Sequence, residues 1–105
     1  MGLRRRQDTA TVVEEFDRLA REWKEATAFE SSPTRLALHP AYQRIIGLGR
    51  RALPLILAEL RREPDHWFWA LQSISGENPV PAEKTGEVEA MARLWLDWGH
   101  QQGHC

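Results

Sequence analysis

His100 and His104 stand four apart near the end of the chain, with Cys105 beside them. On a helix that spacing puts two imidazoles on one face, where they could hold a metal. A zinc site needs four ligands, and the nearest further donor is His66, far off in sequence. No metal site is therefore expected. Ser31, Ser32, Ser73 and Ser75 lack the G-x-S-x-G context of a nucleophilic serine. The carboxylates fall on exposed helix faces, without an evident pocket to tune one for acid–base work. Gly47 and Gly49 match neither a Walker loop nor a dinucleotide fingerprint, and no strand precedes them. The expectation is a non-enzyme without catalytic residues or cofactors.

Recognition chemistry is better represented. The chain holds five tryptophans in 105 residues. At roughly 100° per residue, Trp67 shares a helix face with Ala70, Leu71 and Ile74, while Trp69 falls about 200° away. Trp23, Trp67, Trp95 and Trp98 read as core filling. Trp69 is either covered by the last helix or exposed for a partner, and exposed tryptophan is a frequent interface anchor. Trp69, His66 and Gln72 form the candidate partner-binding set.

Charge offers a second surface. Residues 35 to 63 carry six arginines and two glutamates, and residues 64 to 105 carry six acids and two basic residues. The two halves could attract each other or be separately solvated. Alternatively Arg44, Arg50 and Arg51, near a helix turn, form a basic face for phosphates or an acidic partner. Arg4, Arg5 and Arg6 could add to it. No helix-turn-helix, zinc-finger or RNP motif accompanies them, and a formal net charge of −1 argues against a general polyanion binder.

The elements that must position these residues are helical. Residues 1 to 10 read as a mobile basic arm, and residues 11 to 105 as a single helical domain. Thr11-Val12-Val13-Glu14 has the form of a capping box. It opens a helix to about Glu30, with Val12, Phe16, Leu19, Ala20 and Trp23 as its stripe. Ser31 to Leu38 is a connector whose Leu36 and Leu38 should enter the core. His39-Pro40 starts a helix ended by Gly47 and Gly49. A further helix begins at Arg50 and buries Leu53, Ile56, Leu57 and Leu60. Pro64 leads to a fourth, which Gly76 closes. These short connections imply antiparallel neighbours. After a stiff loop with Pro79 and Pro81, a last helix from about Glu87 to Gln102 has Val88, Met91, Ala92, Trp95 and Trp98 on its stripe. No alternating β-branched run suggests a strand.

The run Leu48-Gly49-x-x-Ala52-Leu53-Pro54, followed by Ile56-Leu57-x-x-Leu60, resembles one HEAT-type helical repeat. Ala70-Leu71-x-x-Ile74-Ser75-Gly76, then a loop and a tryptophan-rich helix, is similar to how some HEAT-repeat chains end. The resemblance covers residues 39 to 98, one repeat plus a terminal helical segment. It implies a protein-binding helical scaffold, and no catalytic residue comes with it.

Composition agrees with a folded chain: 42% of residues are hydrophobic and 28% charged. A single cysteine excludes an internal disulfide and fits a reducing compartment. MGLRRRQD has charge without the apolar run of a secretory signal, and no segment approaches the roughly 20 apolar residues that span a bilayer. The expectation is a cytoplasmic, all-α, compact bundle of about five helices with HEAT-like antiparallel pairs. Its expected function is that of a small protein–protein interaction module, as an accessory, adaptor or antitoxin-like subunit. The alternative is a nucleic-acid-associated domain using the arginine face. A second copy of the chain is a third class of partner, since thin cores gain from oligomerisation.

Overall fold

Good helix formers fill the N-terminal segment, which contains no proline, and in the computed structural model they form α1, Gly2–Ala26. The structure describes residues 2–104 and the side chains from Thr11 onward. Helix α1 runs straight through Thr11, so the expected capping box lies inside a helix and caps nothing. The Arg4-Arg5-Arg6 side chains, like Cys105, lie outside the described residues. Phe16, Leu19, Ala20 and Trp23 are buried on the expected stripe, and Val12 is half-buried at its edge. The helix stops at Ala26 rather than near Glu30. There the Thr27 hydroxyl donates to the Trp23 carbonyl at 2.6 Å, turning the chain away.

The expected connector becomes a short helix, α2 (Pro33–Leu38), because Ser32 accepts from the Arg35 N–H and proline occupies the first turn. Within a helix this short, Leu36 and Leu38 point about 200° apart. Leu36 is accordingly buried, while Leu38 is 58% exposed rather than entering the core. The His39 Nδ1 atom accepts from the Ala41 N–H at 3.0 Å and opens α3, Pro40–Gly47.

The next expected helix divides at its start. Gly49, at φ 78°, leads into a 3-10 turn over Gly49–Ala52, and α4 proper is Leu53–Arg62. Its stripe of Leu53, Ile56, Leu57 and Leu60 is fully buried. Helix α5 (Phe68–Ser75) is closed by Gly76 at φ 75°, whose N–H donates to the Gln72 carbonyl at 2.8 Å. A 3-10 turn over Ala82–Lys84 interrupts the proline-rich loop before α6, Val88–Gln101.

The described residues thus form six α-helices and no strand, an all-α bundle. Helix α1 packs on α3, and α4 packs on α6. Helix α5 and the turn over residues 49–52 each touch both α3 and α4. Aromatic rings fill the middle: Trp23 and Trp67 lie with centroids 4.6 Å apart, and Tyr42 lies 5.2 Å from Trp23. Phe16 completes the cluster, 5.8 Å from Trp67. Trp95 and Trp98 meet edge-to-face at 5.2 Å on α6. All four tryptophans expected in the core are there.

Three hydrogen bonds tie this aromatic centre to the backbone. The Trp23 indole donates to the Leu36 carbonyl at 2.8 Å, which docks α2 onto α1. The Tyr42 hydroxyl donates to the His66 carbonyl at 3.0 Å and accepts from the Ala70 N–H at 2.9 Å. Burial raises the Tyr42 pKa well above its ordinary value of 10.0. The folded chain therefore holds this proton more tightly than the unfolded one. The stability this contributes is complete below about pH 10 and is lost as pH rises further. In urea titrations, Tyr42→Phe is expected to lower stability by about 1–3 kcal/mol at pH 7, since it strands an N–H and a carbonyl. The same substitution should flatten the alkaline decline above pH 10. An undiminished alkaline slope would assign that decline to another group.

Candidate partner-binding groove

Trp67 and Trp69 separate as their spacing predicts. Trp67 is fully buried, whereas Trp69 on α5 remains 45% exposed. Of the two expected alternatives, exposure is the one found. Trp69 walls a groove of about 220 Å³ with His66 and Phe68 from the start of α5. Pro33 at the start of α2 forms one edge. Thr85, Gly86, Val88 and Met91 form the other, around the start of α6.

Local structure keeps this groove open. Gly86, at φ 96°, turns the backbone where a side chain would be strained. Its N–H donates to the Met91 sulfur at 3.4 Å. The Tyr42 hydroxyl anchors the His66 carbonyl on the α5 side. No lysine, arginine or carboxylate lines the groove. Such a surface suits an apolar side chain.

Of the three residues expected to bind a partner, Trp69 and His66 come together here. Gln72 is exposed one turn along α5 and does not line the groove. Sequence reasoning missed Phe68, Thr85 and Gly86, and assigned Val88 and Met91 to the core. Both are half-buried, at the frayed edge of a stripe whose centre is Trp95. The readable signal was the Thr85-Gly86 break before an apolar helix face.

The basic surface is partly committed. Arg44 reaches Glu15 at 3.4 Å, and Glu15 also holds Arg18. The hydrogen bond from Arg18 keeps the Glu15 pKa below its usual value. Arg50 and Arg51 are exposed on the turn before α4 and make no ion pair among the described residues. No ion pair joins residues 35–63 to residues 64–104; the segment pairs instead with α1, through Arg44, Glu59 and Glu63. Asp65, Glu77, Glu83, Glu87, Glu89 and Asp97 all remain without ion pairs among the described residues.

The densest charge cluster joins α1 to α4. Lys24 donates to Glu59 at 2.8 Å and to Glu63 at 3.1 Å, and Arg62 holds Glu59 from the other side. Burial opposes the Lys24 charge, but the two carboxylates carry its pKa above the ordinary value. Hydrogen bonding by Arg62, and then by Lys24, holds Glu59 below 4.5. Every charge in the cluster has a partner, so it reads as a clamp between helices. Near the C-terminus, the His104 ring packs 5.5 Å from Trp98. Among the described residues, no group of three His, Cys, Asp or Glu side chains could hold a metal. No described helix is long and apolar enough to cross a membrane.

No family model matches the chain, and no curated protein or solved structure was found to match it.

The clamp gives the site a pH test. Because the Glu59 pKa is depressed on folding, its stabilising effect is present above about pH 4.5 and lost as pH falls. Thermal melts of Glu59→Gln should show a smaller loss between pH 5 and pH 3 than the parent chain. At pH 7 the variant should be weaker by no more than about 1 kcal/mol, as the pair lies at the surface and is only partly buried. Equal acid sensitivity in the two proteins would remove Glu59 from this role.

Proposed function

We propose that this chain is a small, non-catalytic protein–protein interaction module of the reducing cytoplasm, an accessory, adaptor or antitoxin-like subunit. Its HEAT-like helices serve as a scaffold, and the groove walled by Trp69 is the docking site. One observation carries the reading: a tryptophan that the core does not need stands half-exposed in an uncharged groove. Anchors of interfaces are aromatic side chains that a partner can desolvate completely. The groove admits such an anchor from a partner, and Trp69 would be the complementary ring. Unpaired acids nearby supply the polar rim that surrounds such anchors.

The test is capture of partners from the native host with a tagged chain, with and without nuclease, compared with Trp69→Ala. A stoichiometric protein that survives nuclease should be retained by the parent. The variant should bind it at least about tenfold more weakly, as expected when an anchor worth more than about 1.4 kcal/mol is removed. Its melting temperature should barely change, because Trp69 contributes little to the core. Full retention by Trp69→Ala would place the interface elsewhere.

A second reading uses Arg50 and Arg51, which are exposed and unpaired at the start of α4. In it, the basic turn contacts nucleic-acid phosphates, although Arg44 is already engaged by Glu15. Arg50→Glu with Arg51→Glu should then abolish retention of nucleic acid and weaken its salt dependence. Trp69→Ala would leave that binding intact.

A further inference from the structure

Phe29 is the least protected large apolar side chain of the described residues, at 101% exposure. It sits in the turn after α1, four residues before Pro33, which forms one edge of the groove. A bare phenylalanine and an empty apolar groove thus belong to one edge of the molecule. Four residues of chain span at most about 14 Å. Phe29 nevertheless makes no ring contact among the described residues.

We propose that the occupant of the groove is Phe29 from a second copy of this chain, in a two-fold symmetric dimer. Size permits it. An apolar cavity of about 150 Å³ admits benzene, and this groove measures about 220 Å³. Symmetry favours it as well. When one patch carries both the projection and the recess, a two-fold axis satisfies two contacts at once. Each Phe29 enters the partner's groove while its own groove receives the partner's Phe29.

Charge is complementary in the same arrangement. Six residues after Phe29 comes Arg35, whose side chain is 77% exposed and lies 4.0 Å from Glu30. Around Thr85 and Gly86 of the groove stand Glu83, Lys84 and Glu87, two acids and one cation, exposed and without ion pairs among the described residues. Docking Phe29 carries the cation of one copy toward the acids of the other. A net charge of −1 per chain gives little long-range repulsion between copies. The inference rests on the reading of the groove as a protein-docking site and names its partner.

Sedimentation equilibrium of the full chain, from about 1 µM to about 1 mM, tests it. The parent should populate a dimer. Phe29→Ala should weaken self-association about a hundredfold, because two symmetric contacts each lose their anchor. Its melting temperature as a monomer should not move, since Phe29 supports nothing on its own chain. Val88→Glu, which puts a charge into the groove, should also be monomeric; Met91→Glu is the alternative block if Val88→Glu melts early. Mixing Phe29→Ala with the groove-blocked variant restores one of the two contacts. The mixture should therefore form a heterodimer weaker than the parent dimer, while neither variant pairs alone.

A parent chain that stays monomeric at 1 mM overturns the inference, as does a dimer indifferent to Phe29→Ala or a mixture that remains monomeric. If the parent is monomeric but Trp69→Ala still loses a different protein partner, only the second-copy assignment fails. If Phe29→Ala dissociates the dimer while Val88→Glu, Met91→Glu and Trp69→Ala do not, the groove is not the docking site, and both readings fall.

Discussion

The Tyr42 hydroxyl is the point on which the remaining structure depends. It accepts the Ala70 N–H and donates to the His66 carbonyl, so a single side chain on α3 governs both ends of the first turn of α5. That turn has no side-chain cap of its own. Helix α5 is only eight residues long, well below the length at which a helix holds itself in water. Its position is imposed from outside. With the Tyr42 bridge in place, Trp67 is held in the aromatic centre and Trp69 is turned outward. The same bridge therefore sets the core and the wall of the groove.

The aromatic centre accepts a local penalty for this arrangement. The indole N–H groups of Trp67 and Trp98 are buried without a hydrogen-bond partner. Each unmade bond costs about 1–3 kcal/mol. Burying an indole removes roughly 150–250 Å² from water, worth about 4–6 kcal/mol at 25 cal/mol/Å². Burial wins at both positions, but by a modest margin. A chain of 105 residues has a thin core, and large rings fill it with few residues. Trp23 avoids the penalty by reaching the Leu36 carbonyl, and in doing so it makes α2 part of the bundle.

Helix faces were legible in the sequence because the 3.6-residue period is a local property. The stripes Phe16, Leu19, Ala20, Trp23 and Leu53, Ile56, Leu57, Leu60 are buried as their spacing predicts. Termini were less legible, because caps compete with propensity. Thr11 has the residue types of a cap, yet the chain before it is equally suited to a helix and α1 continues through. The 31–38 segment looked like a connector because Ser-Pro breaks one helix. The same pair starts another, which sends Leu38 to the surface. Trp69 was legible through its angle to Trp67. The groove around it was not, because its walls come from three segments distant in sequence. Charge pairing was also hidden, since the acids that meet Lys24 and Arg44 follow from the crossings of α1 with α3 and α4.

The groove has a physical origin that does not depend on its occupant. The α5–α6 connection is held by Val80, which is buried, and by the turn over residues 82–84, so the chain enters α6 from outside the core. The first turn of α6 consequently stands away from α5, and Val88 and Met91 are left half-buried. Gly86 lines the gap without a side chain, and its φ of 96° disfavours every other residue there. The gap must be filled by something from outside or remain wet against apolar walls. Water in such a recess makes few hydrogen bonds, and releasing it favours any ring that fits. Phe29, fully exposed and four residues before Pro33 at the rim, is one such ring.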